Sequence, residues 1–462
     1  GRRGVEERMV NVDNVVRDPV HGDIPLTNEE LRILDTPEMQ RLRNIRQLGT
    51  AYLVYPGAQH SRFEHSVGTA HLTSKLICAI NGERDSGGSG YGGFDDHEER
   101  VVRIASLVHD ATHLPFGHNI EDQTGLLPRH DVPERFCSLF SADTELGRVL
   151  RSLGVHDEVL GILAPGALPE SKQVPEYWRS LVSGTIDADM LDYLARDAMF
   201  TGLKLHYDPR IFSMFRVERR TQRLYIELTS HGYLKEALLS ELLRCLEARY
   251  YFSERVYYHH AKISSGALIA KAVEIALTEG GLDFETLQKS TDAGLISDLT
   301  KMELDDADAV ARLRMFIDAY TSRRLPKRAA VYPAYANRQS QADLIARFFG
   351  AGSSQARREV EDRLTNSLEA QTGIRSQVLL YCPAGNMQLK SARMLVHWPG
   401  QDELSPLNDF RDQVPRLSDL EQAYQRMWKF YVLIMSDDVQ QINALSGLCA
   451  QEFSNSVNLL RA

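Results

Sequence analysis

Three histidines and an aspartate crowd into the run Ala105-Ser-Leu-Val-His-Asp-Ala-Thr-His-Leu-Pro-Phe-Gly-His118, on ground that otherwise reads as a buried helix. Imidazole and carboxylate are costly on apolar ground unless they are paired or bound to a metal. His109 and Asp110 are adjacent. His65 stands upstream in His-Ser-Arg-Phe-Glu-His, and Asp189 downstream in Asp-Ala-Asp-Met-Leu-Asp-Tyr. If the four converge, two imidazoles and two carboxylates form a shell for one divalent ion: iron, manganese or zinc, with magnesium as a substitute. Such an ion polarises a phosphoryl oxygen and acidifies water, so phosphate-ester hydrolysis is the chemistry implied. Nearby histidines would move protons, and arginines would neutralise developing charge.

The elements that must position these groups are mostly helical. Apolar residues recur at three and four over 28–48, 62–82, 98–112, 130–153, 175–200, 230–279 and 417–432. On a helix running to Pro115, His109 and His113 share a face and Asp110 reaches sideways. His118 then falls in the following turn. An HxxxH pair alone equally suits satisfied core histidines; the adjacent aspartate and the density of histidines favour a site. A solvated acidic face around Asp189 fits poorly, because Ile186, Met190, Leu191 and Leu194 interleave with the acids. Arg223-Leu-Tyr-Ile-Glu-Leu and Gln377-Val-Leu-Leu-Tyr-Cys read as strands.

Residues 1–11 read as an N-terminal extension, 12–325 as the core and 326–462 as a smaller α+β subdomain. The Gly- and Ser-rich stretch within 82–97 is expected to be a flexible surface loop. The composition is globular, with 43% hydrophobic and 25% charged residues. A net charge of −10 argues against a mainly electrostatic nucleic-acid binder. Arg41, Arg43, Arg46 and Arg62 could still line a local basic entrance. The five cysteines show no CxxC spacing and suit a reducing compartment. No secretory signal or membrane-length apolar run is read, so a cytoplasmic protein without membrane attachment is expected.

Several blocks in order resemble the HD superfamily of phosphohydrolases, in its deoxynucleoside triphosphate triphosphohydrolase branch. They are Arg17-Asp-Pro-Val-His-Gly-Asp, Leu34 through Gly49, Tyr55 through Gly68, the 109–118 run, and Asp189 through Gly202. The likeness extends to the vertebrate sterile-alpha-motif and HD-domain members and to bacterial ones. It implies a mainly α fold with an all-helical HD core, and metal ligands His65, His109, Asp110 and Asp189. It places His113, His130 and Glu121 at the scissile phosphate. Gln47, Arg62, His118, Tyr193, Asp197, Arg249 and Tyr257 would bind substrate, a deoxynucleoside triphosphate. Asp35, Gln40 and Arg43 match part of a regulatory nucleotide site for GTP or a dNTP; helix-surface ion pairing is the plainer alternative. A homo-oligomer, dimer or tetramer, is also implied.

Several residues depart from the family pattern. Thr112 stands where a glycine is usual, and Met190 where the vertebrate members carry a phosphate-binding lysine. Asn14 and Pro383 stand where lysines of the regulatory site are expected. Two other readings therefore stay open: a metal-dependent nuclease or phosphodiesterase on single-stranded nucleic acid, and a non-catalytic nucleotide sensor.

Overall fold

The computed structural model describes residues 14–87, 91–121, 127–350, 352–382 and 393–460. The expected extension at 1–11 and the position of Pro383 lie outside these. The chain is mainly α-helical. A hairpin of Asn14–Asp18 and Gly22–Leu26 opens the described chain, and the long Arg62–Gly87 helix packs against Asp96–Val108 and Ala188–Thr201. Local chemistry sets the helix ends. Asp95 and Glu98 form a reciprocal capping box at the start of Asp96–Val108. Asp187 caps Ala188–Thr201 by accepting from the Met190 N–H, and Gly202 ends it at φ +74°.

Several long periodic stretches are broken. Residues 28–48 form Asn28–Leu34, Pro37–Arg41 and the 3₁₀ turn Leu42–Asn44, because Thr36-Pro37 restarts the chain. Over 230–279, Glu236–Phe252 and His260–Thr278 are joined by a π turn at Ser253–Tyr257. The helix expected to span 417–432 ends at Gln425, and Lys429–Ile434 is a strand. In the stretch read as a loop, the helix runs on to Gly87, and Tyr91–Gly92 pairs with Phe215–Glu218.

The decisive correction concerns the 109–118 run. The helix stops at Val108, not at Pro115. Residues 109–114 continue as turns, with Ala111 N–H on the Val108 carbonyl and His113 N–H on that of Asp110. Ending a buried helix early leaves backbone groups that need partners, and charged side chains from elsewhere supply them. Arg41 donates to the carbonyls of Ala111 (3.1 Å) and His113 (2.7 Å), and Arg135 to that of Thr112. Glu121 accepts the Leu114 N–H at 2.9 Å, and Asp292 the Phe116 N–H at 2.8 Å. His109 and His113 therefore do not share a helical face; turns aim them.

A five-stranded sheet orders Ser405–Pro406, Leu395–His397, Arg223–Glu227, Phe215–Glu218 and Tyr91–Gly92, with the second and third parallel. A three-stranded sheet has Lys429–Ile434 at its centre, between Lys327–Pro333 and Val378–Tyr381. The chain beyond 326 thus serves two places. Its second sheet packs with the helices Gln341–Phe349, Ser354–Thr372 and Val439–Glu452. Val396, Trp398, Leu407, Phe410 and Leu417 instead return to the core built by the first 260 residues. Among the described residues, no helix is long and apolar enough to cross a membrane.

Candidate metal centre

His65 sits in the first turn of Arg62–Gly87, Asp189 in the first turn of Ala188–Thr201, and His109-Asp110 at the end of Asp96–Val108. Packing of these three helices brings the four side chains together. His65 Nε2 lies 2.9 Å from Asp189 Oδ1 and 3.8 Å from Asp110 Oδ2. His109 Nε2 lies 3.4 Å from Asp110 Oδ1 and 3.6 Å from Asp189 Oδ1. His65, His109 and Asp110 alone place one ligand atom each within 4.8 Å of the others. Asp189 faces both imidazoles from the more open side, with its side chain 30% exposed.

The opposite ring nitrogens fix which atoms face inward. His65 Nδ1 pairs with Asp192 Oδ2 at 2.7 Å, and His109 Nδ1 donates to the Ser106 carbonyl at 2.7 Å. Both Nε2 atoms are buried and have no hydrogen-bond partner; the short approach to Asp189 is off the line of a hydrogen bond. Two buried imidazole lone pairs without donors, turned toward two carboxylates, fit a divalent cation. Charge agrees. Burial disfavours ionising Asp110 and Asp189, yet Arg62, His109 and His113 hold Asp110, and His109 and His65 hold Asp189, well below the usual carboxylate range. Burial also opposes charge on His65, but Asp189 and Asp192 push its imidazole up to about 10. The carboxylates thus call for positive charge at their centre, which an ion supplies in place of protons.

Beside the centre stands a second group. His113 Nε2 lies 3.4 Å from Asp110 Oδ1, and its Nδ1 3.2 Å from Glu121 Oε2. His130 Nδ1 pairs with the same Glu121 oxygen at 2.9 Å. The rings of His113 and His130 stack at 3.8 Å, and His118, exposed, meets them edge-on at 5.2 and 5.0 Å. His113, His118 and His130 also bring ligand atoms within 4.8 Å. Parallel stacked rings direct their lone pairs side by side, however, and the shared carboxylate behind them suits proton transfer better. Burial and the neighbouring His113 lower His130 to about 4, so its ring is neutral at ordinary pH.

Arg62 donates to Asp110 Oδ2 at 2.6 Å. Gly117 makes this possible: at φ +47°, a Cβ there would stand 2.5 Å from Arg62 Nη2. Deeper in, Asp197 accepts from the Tyr257 hydroxyl at 2.6 Å and pairs with His60 Nε2 at 2.9 Å. The Tyr193 and Tyr257 rings are 6.4 Å apart, and burial, with Asp197 and Tyr193 beside it, raises the Tyr257 hydroxyl. The Arg249 guanidinium lies near both rings: despite burial, Tyr193 and Tyr424 raise it further. Gln47 gives its N–H to the His60 carbonyl at 3.0 Å, and its buried Oε1 has no partner. Residues 47, 60, 193, 197, 249 and 257 thus form one polar, aromatic neighbourhood.

Asp35, Gln40 and Arg43, expected at a regulatory site, are joined only in part. Gln40 donates to the Leu34 carbonyl (2.7 Å) and accepts from Arg43 (2.9 Å), which covers the Phe63 ring at 3.6 Å. Among the described residues, no ion pair links exposed Asp35 to Arg43, so the surface ion pairing expected as the alternative is absent. Asn14 bonds Asn28 at 3.1 Å. Arg41 is no entrance residue, because its guanidinium is spent on the turn at 111–113 and on the Ser290 carbonyl. Met190 is 2% exposed, a core residue offering no charge to a ligand. Thr112 is buried with its hydroxyl unpartnered, but its φ is not positive, so no glycine is required there.

Sequence reasoning missed His60 and the acid–base set behind His65: Asp18, His21, Asp192 and Arg196. Asp192 and Arg196 are four apart on the helix of Asp189, a spacing that could have signalled their pairing. Two cavities, of about 560 and 350 Å³, lie elsewhere, near Ser183, Tyr225 and Arg393 and near Arg84, Tyr91 and Arg219. Neither includes a histidine of the centre.

The model of the HD associated region matches residues 240–447. Among curated proteins, the chain is 32% identical over 269 residues to the uncharacterised protein YwfO of Bacillus subtilis, covering 57% of this chain and 56% of that one. It is 28% identical over 333 residues to the deoxynucleoside triphosphate triphosphohydrolase SAMHD1 of Homo sapiens, covering 66% of this chain and 50% of that one. The chain therefore spans about half the length of the curated relatives it matches. A crystal structure of a phosphohydrolase from Bacteroides thetaiotaomicron superposes with a TM-score of 0.65. The match covers 92% of this chain and 100% of that one at 21% identity, a likeness of fold.

Proposed function

We propose that the chain belongs to the HD-domain, dNTPase-like family, and that it is a metal-dependent phosphohydrolase acting on deoxynucleoside triphosphates. The observation that carries this reading is the pair of buried, donor-free Nε2 atoms of His65 and His109 facing Asp110 and Asp189. These four residues would hold the ion. Lewis acidity toward a phosphoryl oxygen and toward water is what the ion supplies when bound. The activity named for the SAMHD1 relative supports the substrate class.

The chain's own residues take the remaining roles. Arg62, held against Asp110, neutralises charge that develops on the phosphate. Water adds to the α-phosphorus and the 5′-oxygen of the deoxynucleoside departs, leaving inorganic triphosphate. His113 protonates the departing oxygen, backed by Glu121 and exchanging protons through His130. Asp197, fixed by His60 and Tyr257, and Gln47, with its unpartnered Oε1, read the sugar hydroxyl. Tyr193, Tyr257 and Arg249 wall the nucleoside and phosphate, and exposed His118 stands at the mouth. A regulatory nucleotide at Asp35, Gln40 and Arg43, and a homo-oligomer, belong to the same reading.

Protein stripped by a chelator should lose dNTP hydrolysis and regain it with Mn²⁺ or Fe²⁺, and Asp110→Ala should not regain it. Full turnover in the chelator, or by the variant, would end the proposal. Hydrolysis of single-stranded DNA to mononucleotides, with dNTPs untouched, would establish the nuclease reading instead. Internal use of Arg41 already weakens that reading.

A further inference from the structure

Asp192 is a fully buried carboxylate that no step above uses. Both its oxygens are saturated. Oδ2 faces His65 Nδ1 at 2.7 Å and accepts from Arg196 Nε at 2.8 Å. Oδ1 accepts from Arg196 Nη2 at 3.0 Å and lies 2.6 Å from His21 Nε2. Arg196 in turn reaches Asp18 Oδ2 at 2.8 Å. The other Asp18 oxygen accepts the backbone N–H groups of Val20 (2.9 Å) and His21 (2.8 Å), tying down the turn of the N-terminal hairpin. Gly68 leaves the space, since a Cβ there would overlap Asp192 Oδ1 and Arg196 Nη2.

The two inward histidines are therefore not equivalent. His109 is backed by a neutral peptide carbonyl, and His65 by an anion gripped from three sides. A carboxylate behind Nδ1 keeps the proton there and makes Nε2 the stronger donor to a cation. We propose that Asp192, braced by Arg196, His21 and Asp18, is the positioning residue that sets the cation affinity of the centre through His65, so that the turn of the N-terminal hairpin supports the metal site. The inference rests on the metal reading above.

The test is Mn²⁺ binding to the chelator-stripped full chain, followed by the EPR signal of the free ion. Asp192→Asn should weaken Mn²⁺ binding by about 10- to 100-fold, the range for lost outer-shell partners of metal ligands. In ¹H–¹⁵N spectra of the Zn²⁺-loaded protein, the Nδ1–H proton of His65 should move upfield as its carboxylate partner is lost, while that of His109 stays in place. Mn²⁺ affinity and the His65 Nδ1–H signal both equal to wild type would overturn the inference while leaving the metal reading in place. No binding by the wild type would overturn both. If Asp192→Asn does not fold, His21→Phe carries the test. It should weaken binding about three- to tenfold, and His21→Gln, which keeps a donor, should restore most of it. Unchanged affinity in His21→Phe would overturn the proposal.

Discussion

At the scale of single residues, the site is defined by what each polar atom lacks as much as by what it touches. Thr112 departs from the family pattern, yet its backbone lies outside the left-handed region and its turn is clamped by Arg41 and Arg135. Thr112→Gly should therefore leave kcat/KM for a dNTP little changed; loss of most activity would show that the hydroxyl has a role. His71 gives a pH prediction. Burial, with Lys75 and His21 beyond it, lowers its imidazole to about 4, against about 6.5 unfolded. Between those values the unfolded chain binds the extra proton, so stability present above pH 6.5 is lost as the pH falls toward 4. In His71→Asn the fall of Tm across that window should be shallower than in wild type. The four candidate ligands stood out in the sequence because they are ionisable groups on apolar ground. His60 and His21 were not, because each makes sense only through Asp197 and Asp192, more than a hundred residues away.

At the scale of elements, helix periodicity located the carriers of the site and misjudged their ends. Asp96–Val108 stops early because Arg41, Glu121, Arg135 and Asp292 take up the freed backbone groups, and no local pattern announces Arg41 or Asp292, which lie far away in sequence. The packing of Arg62–Gly87 on Ala188–Thr201 is closer than generic side chains allow, and Gly68 is where that closeness is needed. Gly68→Ala should cost about 1–3 kcal/mol in denaturant unfolding, as overpacking does. It should also weaken Mn²⁺ binding, since Asp192 and Arg196 must move. Unfolding and binding both at wild-type values would show the contact to be slack.

At the scale of the whole molecule, the boundary drawn near 325 divides the sequence more sharply than the packing. Residues 396–420 rejoin the first core, and a buried charge network fastens His260–Thr278 to Ser354–Thr372. There Lys271 lies 2.5 Å from Glu361 and 3.2 Å from Glu274, and Arg357 2.6 Å from Glu274. Removing one partner of such a set strands a buried charge, so Lys271→Met should lose about 3–5 kcal/mol. The wild type should unfold in one transition; two separate transitions would mean that the carboxy-terminal sheet folds apart from the core. On the proposed function, the arrangement as a whole presents His65, His109, Asp110 and Asp189 to one ion beside a phosphate. Product analysis tests that claim most directly: chelator-stripped protein given Mn²⁺ and a single dNTP, with the products separated by anion exchange. Inorganic triphosphate and deoxynucleoside in equal amounts, absent without the metal, is the predicted result; an intact dNTP with Mn²⁺ bound at the centre would contradict it.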